Sequence, residues 1–191
     1  MIGLFTQIQQ NAISKIVNSS DRELQRDEFA NSVLESLKFK CPSLRLESTS
    51  TSIQEEFITF NNAPSGITFS PGQKMEVAYF TVPIEGKTDL FTKIIKNNHF
   101  SNDKLYFDSN KLTYREPSIN MITNNDELID NIKQNAKNSI NAVQDLLKSF
   151  ENSYDDFFAN KLKPEIEESV NKERERRNSK SKTEIKLNPF L

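Results

Sequence analysis

The stretch that decides the fold class is Met75-Glu76-Val77-Ala78-Tyr79-Phe80-Thr81-Val82-Pro83-Ile84, which is rich in β-branched and aromatic residues. Toward its middle, apolar residues occupy both faces, which is the pattern of a central strand covered on both sides. The segment Ser70-Pro71-Gly72 before it predicts a turn, because proline fixes φ and glycine supplies a positive φ. The run therefore predicts the central strand of a sheet.

Shorter strands are predicted on both sides of this run. Leu44 and Leu46 alternate with polar residues, and residues 57–60 form another strand after a Ser/Thr-rich segment that we interpret as a link. After Gly86 we expect only a short turn at Asp89-Leu90-Phe91. Residues 104–107 and 111–114 predict a hairpin whose loop is Asp108-Ser109-Asn110. The middle of the chain thus predicts a small, mostly antiparallel sheet.

Helical spacing replaces this alternation near the N-terminus. Apolar residues from Leu4 to Val17 recur every three or four positions and predict an amphipathic helix. The capping-box sequence Ser20-Asp21-Arg22-Glu23 predicts the start of a second helix, with a break near Gln25 and an end before Pro42. Two N-terminal helices and the sheet are expected to form one α+β domain over residues 1–122.

A long helix is predicted after Asn125, with apolar residues seven positions apart and others between them. Pro164 predicts a break near Asn160 and a second helix, so a helical hairpin is expected over residues 123–178, followed by a flexible tail at 179–191. We call the apolar positions the seam: Ile129, Ile132, Ala136, Val143, Leu147, Phe150, Tyr154, Phe157 and Phe158.

The seam is the main candidate for an interaction surface. A helix of about 30 residues is roughly 45 Å long, which exceeds one face of a compact domain of this size. We therefore expect the aromatic residues at its far end to pack across a subunit boundary, against a protein partner or a second copy of the chain. Packing onto the chain's own sheet or adjacent helix is the alternative, and the sequence leaves both open.

Composition narrows the class of protein. The net charge of −2 with 27% charged residues gives no overall attraction to nucleic acid or to an anionic membrane. The single cysteine, Cys41, cannot form an internal disulfide, and no apolar segment approaches the length that spans a bilayer. Without a signal sequence after Met1, we expect a cytoplasmic protein with no membrane association.

Catalytic chemistry has little support in the sequence. The only histidine, His99, lies in a polar connection, and one histidine with one cysteine cannot complete a zinc site. The segment Glu85-Gly86-Lys87 after the central strand is reminiscent of divalent-metal nucleases, but no aspartate occurs between Glu28 and Asp89 to complete such a site. We therefore expect no enzyme activity, no cofactor and no metal.

A basic segment near the C-terminus is the candidate nucleic-acid contact. Between Lys172 and Lys186 there are seven basic and three acidic residues, and no aromatic residue is present to stack on bases. A weak contact would use Arg174, Arg176, Arg177, Lys180 and Lys182. A charged, solvated helix end is the other interpretation of the same segment.

Residues 75–191 resemble the N-terminal module of an uncharacterised bacterial family whose longer members carry a restriction-endonuclease-like domain. The resemblance rests on the run from Val77 to Gly86, on Asp89-Leu90-Phe91, on Asp156-Phe157-Phe158-Ala159-Asn160, on Arg174-Glu175-Arg176-Arg177 and on the ending Leu187-Asn188-Pro189-Phe190-Leu191. It implies a role in defence against foreign nucleic acid. No nuclease residues can be carried over, because the chain ends where that domain would start.

The resulting hypothesis is a non-catalytic assembly or interaction module, an accessory subunit of a bacterial system, with defence against phage as the setting that the resemblance implies. The first alternative is a nucleic-acid-sensing regulatory subunit of an effector nuclease. The second is a metal-dependent nuclease centred on Glu85.

Overall fold

The computed structural model describes residues 2–64, 66, 68–97, 102–108 and 110–188. The chain divides into two compact units: residues 40–150 form the sheet unit, and residues 1–39 with 151–191 form the helical unit. This grouping differs from the division expected from the sequence, because the N-terminal helices group with the end of the chain and not with the sheet. The α+β fold class is confirmed.

Among its described residues, the sheet unit contains five antiparallel strands. They are β1 (Ser43–Leu44), β2 (Ser50–Phe57), β3 (Lys74–Glu85), β4 (Leu105–Asp108) and β5 (Lys111–Ser118). As expected, the run at 75–84 is the central strand: β3 pairs with β5 on one side, and with β1 and β2 on the other. β4 pairs only with β5. The outer edges are therefore β1 and the eight-residue β2 on one side, and the four-residue β4 on the other.

Several sequence expectations for this unit were wrong in detail. Of the strand expected at 57–60 only Phe57 is in a strand, and Leu46, expected in a strand with Leu44, begins a short 3-10 helix (Leu46–Ser48). The Ser/Thr-rich segment expected as a link is strand β2, which satisfies its inner backbone groups by pairing with β3 over eight residue pairs. The expected turn at Asp89-Leu90-Phe91 is part of helix α4 (Thr88–Asn97), which buries Leu90 and Phe91. The β4–β5 hairpin is confirmed, but Asp108 pairs with Lys111, so the connection has two residues and not three.

The two faces of the sheet have different cover. On one face, Ala78 of β3 packs with Ile122 and Ile132, which come from the connection before helix α5 (Asp126–Phe157) and from α5 itself. On the other, Met75 and Val77 pack with Ile58 after β2. Because neighbouring residues on a strand point to opposite faces, both sides of β3 are used, as its apolar pattern predicted.

The helical unit begins with α1 (Ile2–Val17), α2 (Asp21–Leu24) and α3 (Phe29–Leu37). The capping box is confirmed: the Ser20 side chain accepts from the Glu23 backbone N–H, and the Glu23 carboxylate accepts from the Ser20 backbone N–H. The expected break near Gln25 is present between α2 and α3.

The long helix α5 (Asp126–Phe157) continues through a π-helical turn (Phe158–Leu162) into α6 (Lys163–Leu187). The expected hairpin is wrong, because the backbone stays helical through residues 157–163. The Lys163 N–H donates to the Phe158 carbonyl, an i→i−5 bond in which Pro164 takes no part. The flexible tail from residue 179 is also wrong as far as Leu187, which is helical; residues 189–191 lie outside the described residues.

The π turn keeps the buried face of the helix in line. Buried residues along α5 are three or four positions apart as far as Phe157, and the next buried residue, Leu162, is five positions on. A π turn holds one residue more than an α turn, so this longer gap still returns to the same face. The normal spacing then resumes with Ile166 and Val170.

Candidate functional site

The seam is packed inside the chain. Ile132, Ala136, Val143, Leu147, Phe150, Tyr154 and Phe157 are all buried, while Ile129 and Phe158 are partly exposed. The burial of Phe150, with 1% of its surface exposed, is complete without any second molecule. The expectation that these aromatic residues pack across a subunit boundary is therefore wrong. They pack within the chain, which was the alternative.

Within the helical unit, N-terminal residues cover the aromatic end of the seam. Phe5 of α1 stacks on Phe157 with 4.5 Å between ring centroids, and Phe39 packs on Tyr154 at 4.3 Å. The Lys38 ammonium lies 5.5 Å from the centre of the Phe158 ring. The sequence predicts these N-terminal residues with the sheet, so the cover that they provide to the seam was not expected.

Two of the candidate nucleic-acid contacts hold backbone carbonyls at helix ends. Arg174 donates from Nε to the Leu24 carbonyl at 2.7 Å and from Nη2 to the Arg26 carbonyl at 2.6 Å. Arg177 donates to the Val17 carbonyl in the last turn of α1 at 3.0 Å, and to the Ser19 carbonyl just beyond that helix at 2.9 Å. The Val17 and Leu24 carbonyls end their helices and have no intrahelical partner there, so the guanidinium groups satisfy them, while the Arg26 carbonyl also accepts from the Phe29 N–H.

Buried Glu173 organises the same arginines. Its carboxylate accepts from Nε and Nη2 of Arg176, both at 2.7 Å, and from Nε of Arg177 at 2.8 Å. Hydrogen bonds from Arg176 and then Arg177 lower the pKa of Glu173 to about 2. Arg174, Arg176 and Arg177 are thus engaged in the fold, and the other two candidates, Lys180 and Lys182, lie on the exposed end of α6.

Glu85, which was singled out for metal-dependent catalysis, is engaged in an ion pair. The Glu85 carboxylate accepts from Lys40 at 2.7 Å, and this hydrogen bond lowers the pKa of Glu85. Gly86 has a φ of +98°, and a Cβ there would lie 3.2 Å from the Cα of Pro42, so the backbone itself explains the glycine. Among the described residues, no three His, Cys, Asp or Glu side chains could hold a metal ion together. His99 lies outside the described residues.

The outer edge of β2 is the open feature of the sheet unit. The Ile58 N–H donates to the Gln73 carbonyl in the ladder with β3, and such bonds alternate along an antiparallel pair. Even-numbered residues of β2 therefore bond to β3, and the backbone groups of Thr51, Ile53, Glu55 and Phe57 point away. Among the described residues, the only group seen to bond to this edge is the Asn62 side chain, which donates to the Phe57 carbonyl at 3.0 Å.

An apolar groove of about 420 Å³ runs beside this edge. Its floor is Ala78 and Phe80 of β3, one wall is Thr51 and Ile53 of β2, and the other wall comes from α5 and the segment before it. That wall consists of Ile122, Ile129, Ile132 and Lys133. Half of Ile53 and 61% of Phe57 are exposed, so the edge carries two apolar side chains next to an apolar cavity.

The acidic residues of β2 are already paired within the sheet. Glu55 accepts from Lys74 at 2.8 Å. Glu56 accepts from Arg115 at 2.7 Å and from the Tyr79 hydroxyl. Burial raises the pKa of Glu56, but the bonds from Tyr79 and Arg115 outweigh it and the net change is downward. Edge strands are commonly protected by charged side chains, proline or bulges; β2 carries Glu55 and Glu56, but it has no proline, and its register with β3 is continuous.

One pattern in the sequence indicates this edge strand. Ile53, Glu55 and Phe57 alternate with Ser52, Gln54 and Glu56, a period of two that extends the strand expected at 57–60 back through the Ser/Thr-rich segment. Threonine is a strand former, whereas serine suggested a link. The groove had no sequence signal, because it depends on which strand lies beside α5.

Comparisons of the chain with protein-family models, with curated proteins and with solved structures found no match. The resemblance to a bacterial family with a nuclease domain therefore stays a prediction. None of the described helices combines the length and the apolar character that a membrane span requires.

Proposed function

We propose that this protein is a non-catalytic interaction module that binds an extended segment of a protein by strand addition along β2. The observation that carries the proposal is the outer edge of β2, eight residues long and open among the described residues, with an apolar groove beside it. In strand addition, backbone hydrogen bonds provide affinity, and pockets for alternate side chains provide specificity. The edge of β2 supplies the backbone hydrogen-bonding groups, and the groove supplies a pocket for side chains.

The other edge of the sheet is a poorer site for the same interaction. β4 has four residues, so it offers about half the backbone groups of β2. The cleft on that side, lined by Lys104, Arg115 and Glu116 among others, is polar, and its cations are paired with carboxylates. An added segment would gain fewer backbone bonds there and little apolar burial.

An accessory role in a bacterial assembly is part of the proposal. Support for a role in defence comes only from the resemblance of residues 75–191. A cytoplasmic location fits the single, buried Cys41, because disulfides are rare in reducing compartments. Strand addition needs no metal or cofactor.

The test is selection of random octapeptides displayed on phage against the full-length protein. Selected peptides should alternate apolar and polar residues, and in NMR spectra they should shift the backbone amides of Thr51, Ile53 and Glu55. Glu55→Pro removes an outward N–H and should weaken peptide binding at least tenfold. Glu55→Ala removes the same carboxylate and keeps the N–H, so its binding should stay within about threefold.

Unfolding curves for both variants establish that each is folded before binding is compared. Equal loss of binding in Glu55→Pro and Glu55→Ala would show that the backbone edge is not used. Failure to select any peptide, or selection of peptides that shift residues elsewhere, would overturn the proposal.

A further inference from the structure

We infer that the segment bound by the β2 edge is β2 of a second copy of this chain, paired antiparallel about a two-fold axis at Gln54. The inference rests on the proposed function and names its partner. Thr51 and Ile53, near the start of β2, line the apolar groove. Glu55 and Phe57, near its end, are the side chains that would contact this groove in a second copy.

The alternation of the ladder restricts the register. Odd-numbered residues direct their backbone groups outward, so they must face odd-numbered residues of the second copy. Pairing about Gln54 satisfies this rule and sets Thr51 opposite Phe57, and Ile53 opposite Glu55. Pairing about Glu55 would set two carboxylates opposite each other, which destabilises a sheet.

Pairing about Gln54 also brings matching side chains to the groove. Residues paired directly across a sheet lie on the same face, so Phe57 of the second copy extends the row of Thr51 and Phe80 at the groove wall. Its ring, 61% exposed in the single chain, is the largest apolar side chain of the edge. Both copies make the same contact, as a two-fold interface requires.

Charge agrees with the same register. Lys133 is the one charged residue among those that line the groove. Its described partner is Asp130, at 3.5 Å between two exposed side chains, an arrangement that contributes little. Glu55 of the second copy, opposite Ile53, brings a carboxylate to the groove wall next to this ammonium. A two-fold axis at Ile53 would instead set Glu55 of the second copy opposite Thr51. Phe57 of the second copy would then lie beyond the end of the groove.

The expected interface is small. Eight residues of strand extend about 27 Å, and pairing of two such edges belongs to the weak class of interfaces, below roughly 1,200 Å². We therefore expect self-association in the micromolar range, seen by sedimentation as a shift from monomer to dimer between about 10 and several hundred micromolar protein.

A disulfide reports the register directly. At the axis, the two Gln54 residues form a pair without mutual backbone bonds, whose Cα atoms lie about 4.5 Å apart, within the range that a disulfide spans. In a Cys41→Ser background, Gln54→Cys should form covalent dimers on mild oxidation. Ser52→Cys, matched in strand and face, should not, because its two copies would be about 13 Å apart along the strands.

The charge contact has its own test. Lys133→Glu should weaken dimerisation at least threefold, and adding Glu55→Lys should restore it. Crosslinking of Ser52→Cys as readily as Gln54→Cys would overturn the register. A protein that stays monomeric over the whole concentration range, with no Gln54→Cys dimer, would overturn the second copy as partner. Selected octapeptides that still bind β2 would then leave strand addition standing with a different protein, and failure of both experiments would remove both proposals.

Discussion

Helix α6 and strand β2 both present polar groups, and they differ in whether the chain itself uses them. Arg174 and Arg177 of α6 satisfy carbonyls at the ends of α1 and α2. β2 pairs one edge with β3 and directs the backbone groups of its other edge outward. A run of charged residues can therefore be engaged in contacts within the fold, while the backbone groups of a strand edge stay available to bind another molecule.

The largest expected effect tests whether the seam is internal. Phe157→Ala removes a ring that is 7% exposed and stacked on Phe5, and should lower the free energy of unfolding by about 3–5 kcal/mol. Phe60→Ala is the matched control, since Phe60 is 95% exposed, and should cost less than about 1 kcal/mol. Urea denaturation measures both.

A Phe157→Ala protein that keeps its stability and changes only its apparent mass would contradict this. That result would mean that the seam is a docking surface for another molecule. The distinction between groups used within the chain and groups left open at the β2 edge would then fail.

The next effect tests whether the arginines are structural. Arg177→Ala removes bonds to two carbonyls, to Asp21 and to Glu173, and should lower the free energy of unfolding clearly. Arg176→Ala removes bonds to the same Glu173 carboxylate only, from a side chain that is 62% exposed, and should lower it much less. Equal losses in urea unfolding would mean that the carbonyl contacts contribute nothing.

Acid should weaken the helical unit through Glu173. Its folded-state pKa is about 2 and its ordinary value is 4.5, so protons bind more tightly to the unfolded chain. This contribution to stability is present above pH 4.5 and is lost as the pH falls toward 2. Glu173→Gln should flatten that part of the stability curve relative to the parent protein, with no change in slope between pH 6 and 8. A parallel pair of curves from pH 5 to 2 would disprove the assignment.

The smallest effect concerns the π turn. Deleting Ala159 should convert the π turn to an α turn and keep Leu162 and Ile166 on the buried face, at a cost below about 1 kcal/mol. Deleting Ser169 in the next segment should turn Val170 and Glu173 by about 100° around the helix and cost several times more. Thermal unfolding measures the loss of stability in both deletion variants. Similar losses would show that the π turn does not determine which residues after it lie on the buried face of the helix.

The sequence predicted the elements whose signal is local. The capping box at Ser20 and the central strand at 75–84 depend on residues a few positions apart, and the structure confirms both. The helical interruption near Asn160 was located correctly, but proline suggested a break where the chain inserts a π turn. Pro164 lies in the first turn of α6, where its missing N–H costs nothing.

The candidate site was beyond sequence reasoning because it depends on contacts between distant residues. The seam was identified residue by residue, yet its partner was not, since Phe5 and Phe157 are far apart in the chain. The arginines were likewise noticed as charges, and only the structure shows that they meet the carbonyls of Leu24 and Ser19. The β2 edge was missed because strand pairing, and not composition, defines an edge.

The division of the chain also has a consequence for its synthesis. The helical unit needs residues from both ends, so residues 1–39 cannot complete their packing until the segment from 151 onward has been made. At 5–20 residues per second, the intervening 111 residues take about 6–22 s. The sheet unit, continuous in sequence, can fold during that interval. Until then, the apolar faces of α1 and α3 remain partly exposed on the nascent chain. Exposed apolar surface of this kind is what chaperones protect from aggregation.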